Sequence, residues 1–219
     1  MKHFTSLRTM LVVPALIVSG LVACKKESSE SFNQLATESN AVEINETSNT
    51  AASHIASSEK LAIPAVVDLP ANLPNGNSRV ATYYAVGVQK YKARVKAGSV
   101  PEAYEWVFVA PLADLYDVNN AKVGIHGAGP FWALSPADSI FAQHFTPART
   151  APSQDIESID WLLLQPKTGT TPTGIFAGVA YIQRIATKGG KAPLTPPTNI
   201  NETADVKYKA VYRFTKINP

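Results

Sequence analysis

Prolines interrupt most of this chain at short intervals. Fifteen of the sixteen prolines lie after residue 60. Few stretches between them are long enough for a helix of three turns, because proline breaks the interior of a helix. The intervening runs are rich in Val, Ile, Tyr, Phe and Thr, which favour strands. The sequence therefore predicts an all-β fold with little helix.

The clearest strand lies near the C-terminal end, over residues 206–215. Alternate residues form an apolar side: Val206, Tyr208, Ala210, Tyr212 and Phe214. The opposite side is mostly polar: Lys207, Lys209, Val211, Arg213 and Thr215. This period of two indicates a strand with one face in the core.

Similar runs predict further strands. They lie near 80–87, 89–96, 104–110, 122–126, 139–145, 159–164 and 174–186. A short helical turn is expected at 111–116, where Leu112 and Leu115 would face inward. About eight strands separated by turn residues indicate a single antiparallel β-sandwich or barrel domain.

Residues 1–23 have the layout of a secretory signal peptide. Lys2 and Arg8 precede a run of 14 uncharged residues, 10–23, which ends in small side chains. The run is shorter than the roughly 20 apolar residues that a membrane-spanning helix needs. We therefore expect an exported protein whose mature chain starts after residue 23.

The junction at residues 21–24, Leu-Val-Ala-Cys, resembles the lipobox of bacterial lipoproteins. The resemblance implies that the chain is cut before Cys24 and that Cys24, the only cysteine, becomes lipidated. Two or more acyl chains give stable anchoring to a membrane. Lys25 at the next position implies, by the same resemblance, transport to the outer membrane. The protein is thus expected to be lipid-anchored in the cell envelope.

Residues 24–60 differ in composition from the rest of the chain. They are rich in Ser, Thr, Asn, Glu and Ala and show no sustained apolar period. Such a segment cannot bury enough surface to offset the entropy of ordering it, so we expect a disordered tether. The remaining residues, 61–219, have the length of one domain. Their net charge of +4 is too small to indicate nucleic-acid binding.

A glycine-rich segment around His126 is the candidate ligand pocket. Its residues are His126, Gly127, Gly129, Phe131 and Trp132. Phe131 and Trp132 would wall the pocket, and His126 would be a polar contact or a general base. The alternative is a tight connection between strands, in which the glycines permit unusual dihedral angles and the aromatic residues fill the core. Catalysis would require His126 in an open cleft with a carboxylate within hydrogen-bonding distance.

The spacing of residues names no second catalytic group, so no catalytic residue is assigned. Asp155, Glu157 and Asp160 precede Trp161. They fit either the paired carboxylates of a glycosidase or, more commonly, the solvated approach to a buried strand. We predict a binding or envelope-associated module whose specific function the sequence does not name. The alternative is an enzyme that acts on an envelope or extracellular substrate.

A metal site would need His126 and His144, the only histidines after residue 60, completed by Asp138 or Asp114. Their spacing matches no known ligand set. The glycine-rich loop at 169–174 lacks the lysine of a phosphate-binding loop. Neither a metal nor a cofactor is therefore predicted.

Basic residues alternate along two predicted strands and form the candidate basic surface. One set is Lys90, Lys92, Arg94 and Lys96, and the other is Lys207, Lys209 and Arg213. If the strands are neighbours in a sheet, the surface suits an anionic glycan, a lipid headgroup or an acidic envelope protein. The alternative is a solvated strand face that discourages edge pairing.

Several motifs, in order along the chain, resemble one protein family. They are residues 87–91, 106–111, 123–132, 161–164 and 182–193, followed by Tyr208, Tyr212 and Phe214 in the last strand. Together they make residues 80–214 similar to the family called domain of unknown function 3455. The resemblance implies no established activity. It also implies cysteines in relatives at the position of Ala93 and near that of Pro197, and thus a disulfide that this chain lacks.

Overall fold

Eight antiparallel strands close into a barrel, in which each strand pairs with its neighbours in sequence and the last pairs with the first. The computed structural model describes residues 51–219. The predicted signal peptide 1–23, Cys24 and the first part of the predicted tether lie outside these residues. The strands are β1 (Asn77–Val95), β2 (Tyr104–Tyr116), β3 (Lys122–Gly127), β4 (Phe131–Ser135), β5 (Asp138–Ala151), β6 (Trp161–Pro166), β7 (Val179–Gly189) and β8 (Thr203–Ile217). The prediction of one antiparallel β domain is confirmed.

The observed elements differ from the predicted ones in several places. The predicted strand 174–186 begins only at Val179, because residues 174–176 form a 3-10 turn. The predicted strands 80–87 and 89–96 form one long strand, β1, and the short β4 is absent from the prediction. The helical turn expected at 111–116 is wrong, because these residues continue β2 alongside β1, where Val88 pairs with Leu112. Leu115 is buried inside the barrel, but Leu112 is exposed on the outer wall.

The inner core fills one end of the barrel with apolar side chains that point inward from the strands. Among them are Tyr83, Leu115, Ile140 and Phe214. A 3-10 turn (Gly174–Phe176) between β6 and β7 adds Phe176, whose ring centroid lies 4.8 Å from that of Phe214. This end of the barrel is therefore closed by packing.

A second core lies on the outer wall of the barrel beneath residues 51–69, which we call the N-terminal clasp. Residues 51–58 of the clasp are helical. Ala51, Ile55 and Val67 share one buried cluster with outward-facing strand residues: Tyr84, Trp161, Leu163, Ile185 and Val211. Within residues 51–219, no helix has the length and apolar character needed to cross a membrane.

The clasp contradicts part of the predicted tether at 24–60. Ala51 and Ile55 are one helical turn apart, so they share a face, and the barrel wall supplies the apolar surface that the segment itself lacks. The tether prediction is therefore wrong for residues 51–60, whereas residues 24–50 lie outside the described part of the chain. Part of the mostly polar side of β8 is buried as well, at Arg213 and Thr215.

Candidate ligand cavity

A cavity of about 640 Å³ lies inside the barrel, toward the end opposite the Phe176 turn. Small-molecule sites commonly measure about 300–1,000 Å³. Much of its wall is apolar. The apolar residues are Phe108 and Pro111 of β2, Leu162 and Leu164 of β6, and Ile159 just before β6. Its size and walls suit a small organic ligand.

His126 lies on the cavity wall, on the inward face of β3. It pairs with Trp132 of β4, and the two rings stack with centroids 4.4 Å apart. The Tyr212 ring lies on another side, with its centroid at 4.9 Å. The His126 Nδ1–H donates to the carbonyl oxygen of Phe131 over 2.8 Å. The imidazole is thus fixed by a backbone bond and by aromatic rings.

Burial lowers the pKa of the His126 imidazole to about 3, a shift that the bond to Phe131 opposes and the charge of Arg184 assists. The side chain is only 2% exposed. Among the described residues, no carboxylate forms a hydrogen bond or an ion pair with His126. The arrangement expected of a catalytic base, an open cleft and a partner carboxylate, is therefore not met.

Three of the five predicted pocket residues line the cavity, and two do not. His126, Gly129 and Trp132 line it. Phe131 follows the strand alternation to the outside of the barrel, beside Phe141. Gly127 also faces outward, and a Cβ there would lie 2.5 Å from the Phe131 ring. The prediction that Phe131 forms a wall of the pocket is wrong, because Trp132 occupies the inward position of β4.

A cluster of buried polar groups lies at the cavity wall, and we call it the polar cluster. It consists of Gln89, His126, Trp132, Tyr208 and Tyr212, all at most 2% exposed. All of them except Tyr208 line the cavity. Gln89 Nε2, Trp132 Nε1 and both tyrosine hydroxyls have no hydrogen-bond partner among the described residues. A buried polar group without a partner costs about 1–3 kcal/mol. Because four of these atoms are clustered, they offer hydrogen bonds to water or to a bound molecule. Buried atoms without a partner among the described residues also occur in the outer core, for example Trp161 Nε1.

Both tyrosines of the polar cluster keep their protons at neutral pH. Burial raises the pKa of the Tyr208 and Tyr212 phenols. Tyr208 lies near the side chains of Tyr212 and Gln89, and Tyr212 lies near Arg184, so that contacts between these polar groups also shift the two pKa values. Neither hydroxyl forms a hydrogen bond of good geometry among the described residues. Both hydroxyls therefore carry a proton that can be donated.

Arg184 of β7 brings a positive charge to the cavity wall. Its Nε and Nη2 groups donate to the carbonyl oxygen of Asp160 over 3.1 and 2.8 Å. These two hydrogen bonds to one oxygen hold the guanidinium beside the polar cluster. There its charge counteracts the rise in the pKa of Tyr212. Lys191 and the exposed Asp160 also line the cavity, so its charged residues sum to a positive value.

The acidic residues considered as ligands or catalysts are not brought together at His126. Asp138 accepts hydrogen bonds from Ser135 and from the backbone of Ile175, near the closed end of the barrel. Asp114 pairs with Lys122 on the outer wall. Within residues 51–219 no group of three or more His, Cys, Asp and Glu side chains could hold a metal ion.

The carboxylates before Trp161 occupy the connection between β5 and β6. Asp155 accepts from Ser158 and pairs with Lys188, and Glu157 is exposed. Trp161 faces the outer core rather than the cavity. The cluster is therefore the solvated approach to β6, and no paired-carboxylate site is formed.

The candidate basic surface is only partly assembled. β1 and β8 are neighbours, and Lys207 pairs with Val88 on the outer wall, two positions from Lys90. Two further members are neutralised by ion pairs, Lys90 with Asp205 at 2.9 Å and Arg94 with Glu105 at 2.6 Å. Exposed lysines without an ion pair among the described residues complete this face: Lys92, Lys96, Lys207 and Lys209.

The prediction that Arg213 belongs to the basic surface is wrong. The clasp covers it, so its side chain is 7% exposed. It pairs with Glu59 at 3.1 Å and donates to Ser58 Oγ over 3.2 Å. Its strand position is outward as predicted, but the outer wall there is a second core.

Gln89, Arg184 and Tyr212 are cavity residues that the sequence interpretation did not select. Gln89 lies among lysines along β1, yet the alternation puts it on the inward side with Tyr91. A polar residue on the inward side of a strand is the feature of the sequence that could have indicated a polar site inside the barrel. Tyr212 was expected in the core, where its ring does lie, while its hydroxyl belongs to the polar cluster.

The fold and the cavity define a class, an eight-stranded up-and-down barrel with a solvent-reachable interior site. The sequence profile of the family described as "Protein of unknown function (DUF3455)" matches residues 74–216. The chain therefore belongs to this family, as the motifs of the sequence predicted. No curated protein and no solved structure shows a significant match to the chain.

Proposed function

We propose that this protein is a lipid-anchored envelope protein whose barrel binds a small ligand in the cavity without catalysing a reaction. The observation that carries the proposal is the polar cluster: Gln89, Trp132 and Tyr212 line a cavity with apolar walls, and their donor groups have no hydrogen-bond partner among the described residues. Buried polar groups are normally hydrogen-bonded, and exceptions call for a specific cause. A ligand that accepts these hydrogen bonds supplies that cause.

A catalytic role is not favoured by the site. The lowered pKa of His126 makes it a poor base near neutrality. Its Nδ1–H is held by a backbone carbonyl rather than by a carboxylate. The geometry therefore supports His126 as part of the wall of a binding site.

The ligand proposal is tested with a library of small organic fragments and the melting temperature of the purified full chain. A ligand at 100 times its dissociation constant stabilises a protein by about 2.7 kcal/mol. We expect hits whose effect disappears in Leu162→Trp, which fills the cavity. The matched control is Leu112→Trp on the exposed outer wall, which should keep the hits. Hits that survive Leu162→Trp, or no hits at all, would contradict the proposal.

The anchoring proposal rests on the lipobox at residues 21–24. Cys24 is proposed to carry the lipid, with the protein in the outer membrane. Radiolabelled palmitate added to growing cells should label the protein, and Cys24→Ala should abolish both the label and its recovery with outer-membrane fractions. Palmitate label that is retained in Cys24→Ala would contradict lipidation at Cys24.

Partners of the outer wall are proposed from charge. Lys92, Lys207 and Lys209 support contact with an anionic glycan, a lipid headgroup or an acidic envelope protein. Binding to vesicles that contain phosphatidylglycerol should weaken with salt, because exposed charges are screened over about 8 Å at physiological ionic strength. Binding to such vesicles that is unaffected by Lys207→Gln and Lys209→Gln together would exclude a role of this face in lipid contact.

A further inference from the structure

We propose that the cavity binds a small amphipathic carboxylate, with the acid group on the polar cluster and Arg184 and with the apolar body against the β2 and β6 walls. This inference rests on the proposed function of the cavity and names the class of its ligand. It follows from three properties of the wall: its donors, its charge and its apolar area.

The unpartnered groups of the polar cluster are mainly donors. Trp132 Nε1 can only donate, and Gln89 Nε2 is an amide donor. The hydroxyl of Tyr212 can donate as well. A carboxylate carries two oxygens with about four acceptor positions, so one such group can satisfy several of these donors at once. A ligand that offers only donors would leave them without partners.

The charge of the wall favours an anion over a cation. Arg184 is the guanidinium held beside the polar cluster by its two bonds to the Asp160 carbonyl oxygen. Among residues 51–219, Asp160 supplies the only carboxylate on the cavity wall, and it is exposed to solvent. Hydrogen bonds between a guanidinium and a carboxylate are stronger than those between neutral groups. The described part of the cavity wall therefore offers a cation to a carboxylate and holds no buried anion that would repel it.

The apolar walls require more than an inorganic anion. Phe108, Ile159 and Leu162 line the cavity, and covering them with a ring or a short chain removes apolar surface from water. A cavity of about 640 Å³ accommodates such a body together with its acid group. Phosphate or acetate alone would leave these walls in contact with water.

The test compares three matched series of compounds, with phenylpropyl, cyclohexylpropyl and octyl bodies, each as a carboxylate, a primary amide and an alcohol. Dissociation constants are measured by isothermal titration calorimetry with the purified full chain. We expect at least one carboxylate to bind about tenfold or more tightly than its amide and its alcohol. This preference is a property of the wild-type protein, so it does not depend on the folding of any variant.

Variants then locate the preference. Arg184→Gln and Tyr212→Phe should bring the carboxylate and amide affinities within about threefold of each other. The matched controls are Arg94→Gln and Tyr181→Phe, since Arg94 is on the outer wall and Tyr181 belongs to the outer core. Both controls should keep the full preference.

The outcomes separate this inference from the proposed function. Amides and alcohols that bind as tightly as the acids, with all binding lost in Leu162→Trp, would overturn the carboxylate class and leave the cavity as a binding site. A carboxylate preference that survives Arg184→Gln and Tyr212→Phe would also overturn it. Absence of binding by all three series, together with an empty fragment screen, would overturn both.

Discussion

His126 and Trp132 face each other across the β3–β4 pair, and their rings stack at 4.4 Å with an interplanar angle of 8°. The stack holds a neutral imidazole in the wall of the cavity. Because unfolding returns this imidazole to water, its protonation couples the stability of the barrel to pH.

Stability should fall as the pH is lowered from about 6.5 toward 3. Burial lowers the pKa of His126 to about 3 in the folded protein, against 6.5 for an exposed histidine. Above pH 6.5, His126 is neutral in both the folded and the unfolded protein, and its protonation does not affect the free energy of unfolding. Between pH 6.5 and 3, His126 binds a proton only in the unfolded chain, so the free energy of unfolding falls by about 1.4 kcal/mol per pH unit.

Urea unfolding at several pH values checks this expectation. His126→Phe should reduce the pH dependence between 6 and 4, while His144→Gln, at an exposed histidine, should keep it. Equal slopes for the wild-type protein and His126→Phe would show that His126 is not buried in its neutral form.

Removal of the helical part of the clasp should destabilise the barrel. A chain that starts at residue 61 loses the burial of Ala51 and Ile55 and uncovers Arg213. We expect a loss on the order of 3 kcal/mol relative to a chain that starts at residue 51. Denaturation midpoints measure the difference, and equal midpoints would mean that the clasp helix does not pack on the barrel.

Glu59→Gln should destabilise the protein more than Glu105→Gln. Glu59 pairs with the buried Arg213, so its neutralisation leaves that cation with Ser58 Oγ. We expect a cost of about 1–2 kcal/mol, less than for a fully buried pair because half of the Glu59 side chain is exposed. Glu105 pairs with the exposed Arg94, and its loss should cost at most about 0.5 kcal/mol. The two free energies of unfolding decide the matter, and equal values would speak against a buried Arg213.

Gly87→Ala should separate β1 from β2. A Cβ at Gly87 would lie 2.1 Å from the carbonyl oxygen of Leu112 and 2.5 Å from the Cα of Ala113. Backbone atoms cannot yield as a flexible side chain does, so we expect a cost of about 3 kcal/mol or more. Gly178→Ala is the control: its φ is +77° but no atom lies within 4 Å, so it should cost about 1 kcal/mol. A smaller loss for Gly87→Ala than for Gly178→Ala would contradict the observed register of β1 and β2.

The strands were predictable where one face is buried and the other is wet. The alternation of Tyr208, Ala210 and Tyr212 predicts β8 because the pleat directs these side chains into the barrel. The clasp was not predictable in the same way. Ala51 and Ile55 give one turn of apolar period, and the surface that stabilises them belongs to strands far along the chain.

The site was partly predictable, since the glycines and aromatic residues near His126 lead to the cavity wall. The rest of the wall comes from distant strands. Gln89, Arg184 and Tyr212 meet His126 only because β1, β7 and β8 close the barrel on β3 and β4. The local spacing of residues along the chain does not indicate which distant strands will be neighbours in the barrel. The direction of the Phe131 side chain likewise depends on the register of β4 with β5.

The most direct test of a ligand in the cavity uses the indole N–H signals of the three tryptophans in a ¹⁵N-labelled protein. Trp132 lines the cavity, and its Nε1 has no hydrogen-bond partner among the described residues. Trp106 Nε1 donates to the carbonyl oxygen of Thr195, and Trp161 lies in the outer core. Saturation with a compound that raises the melting temperature should move the Trp132 signal downfield, because an acceptor reaches its N–H, and leave the Trp161 signal in place. A Trp132 signal that does not move at saturation, or a shift confined to Trp161, would contradict ligand binding inside the barrel.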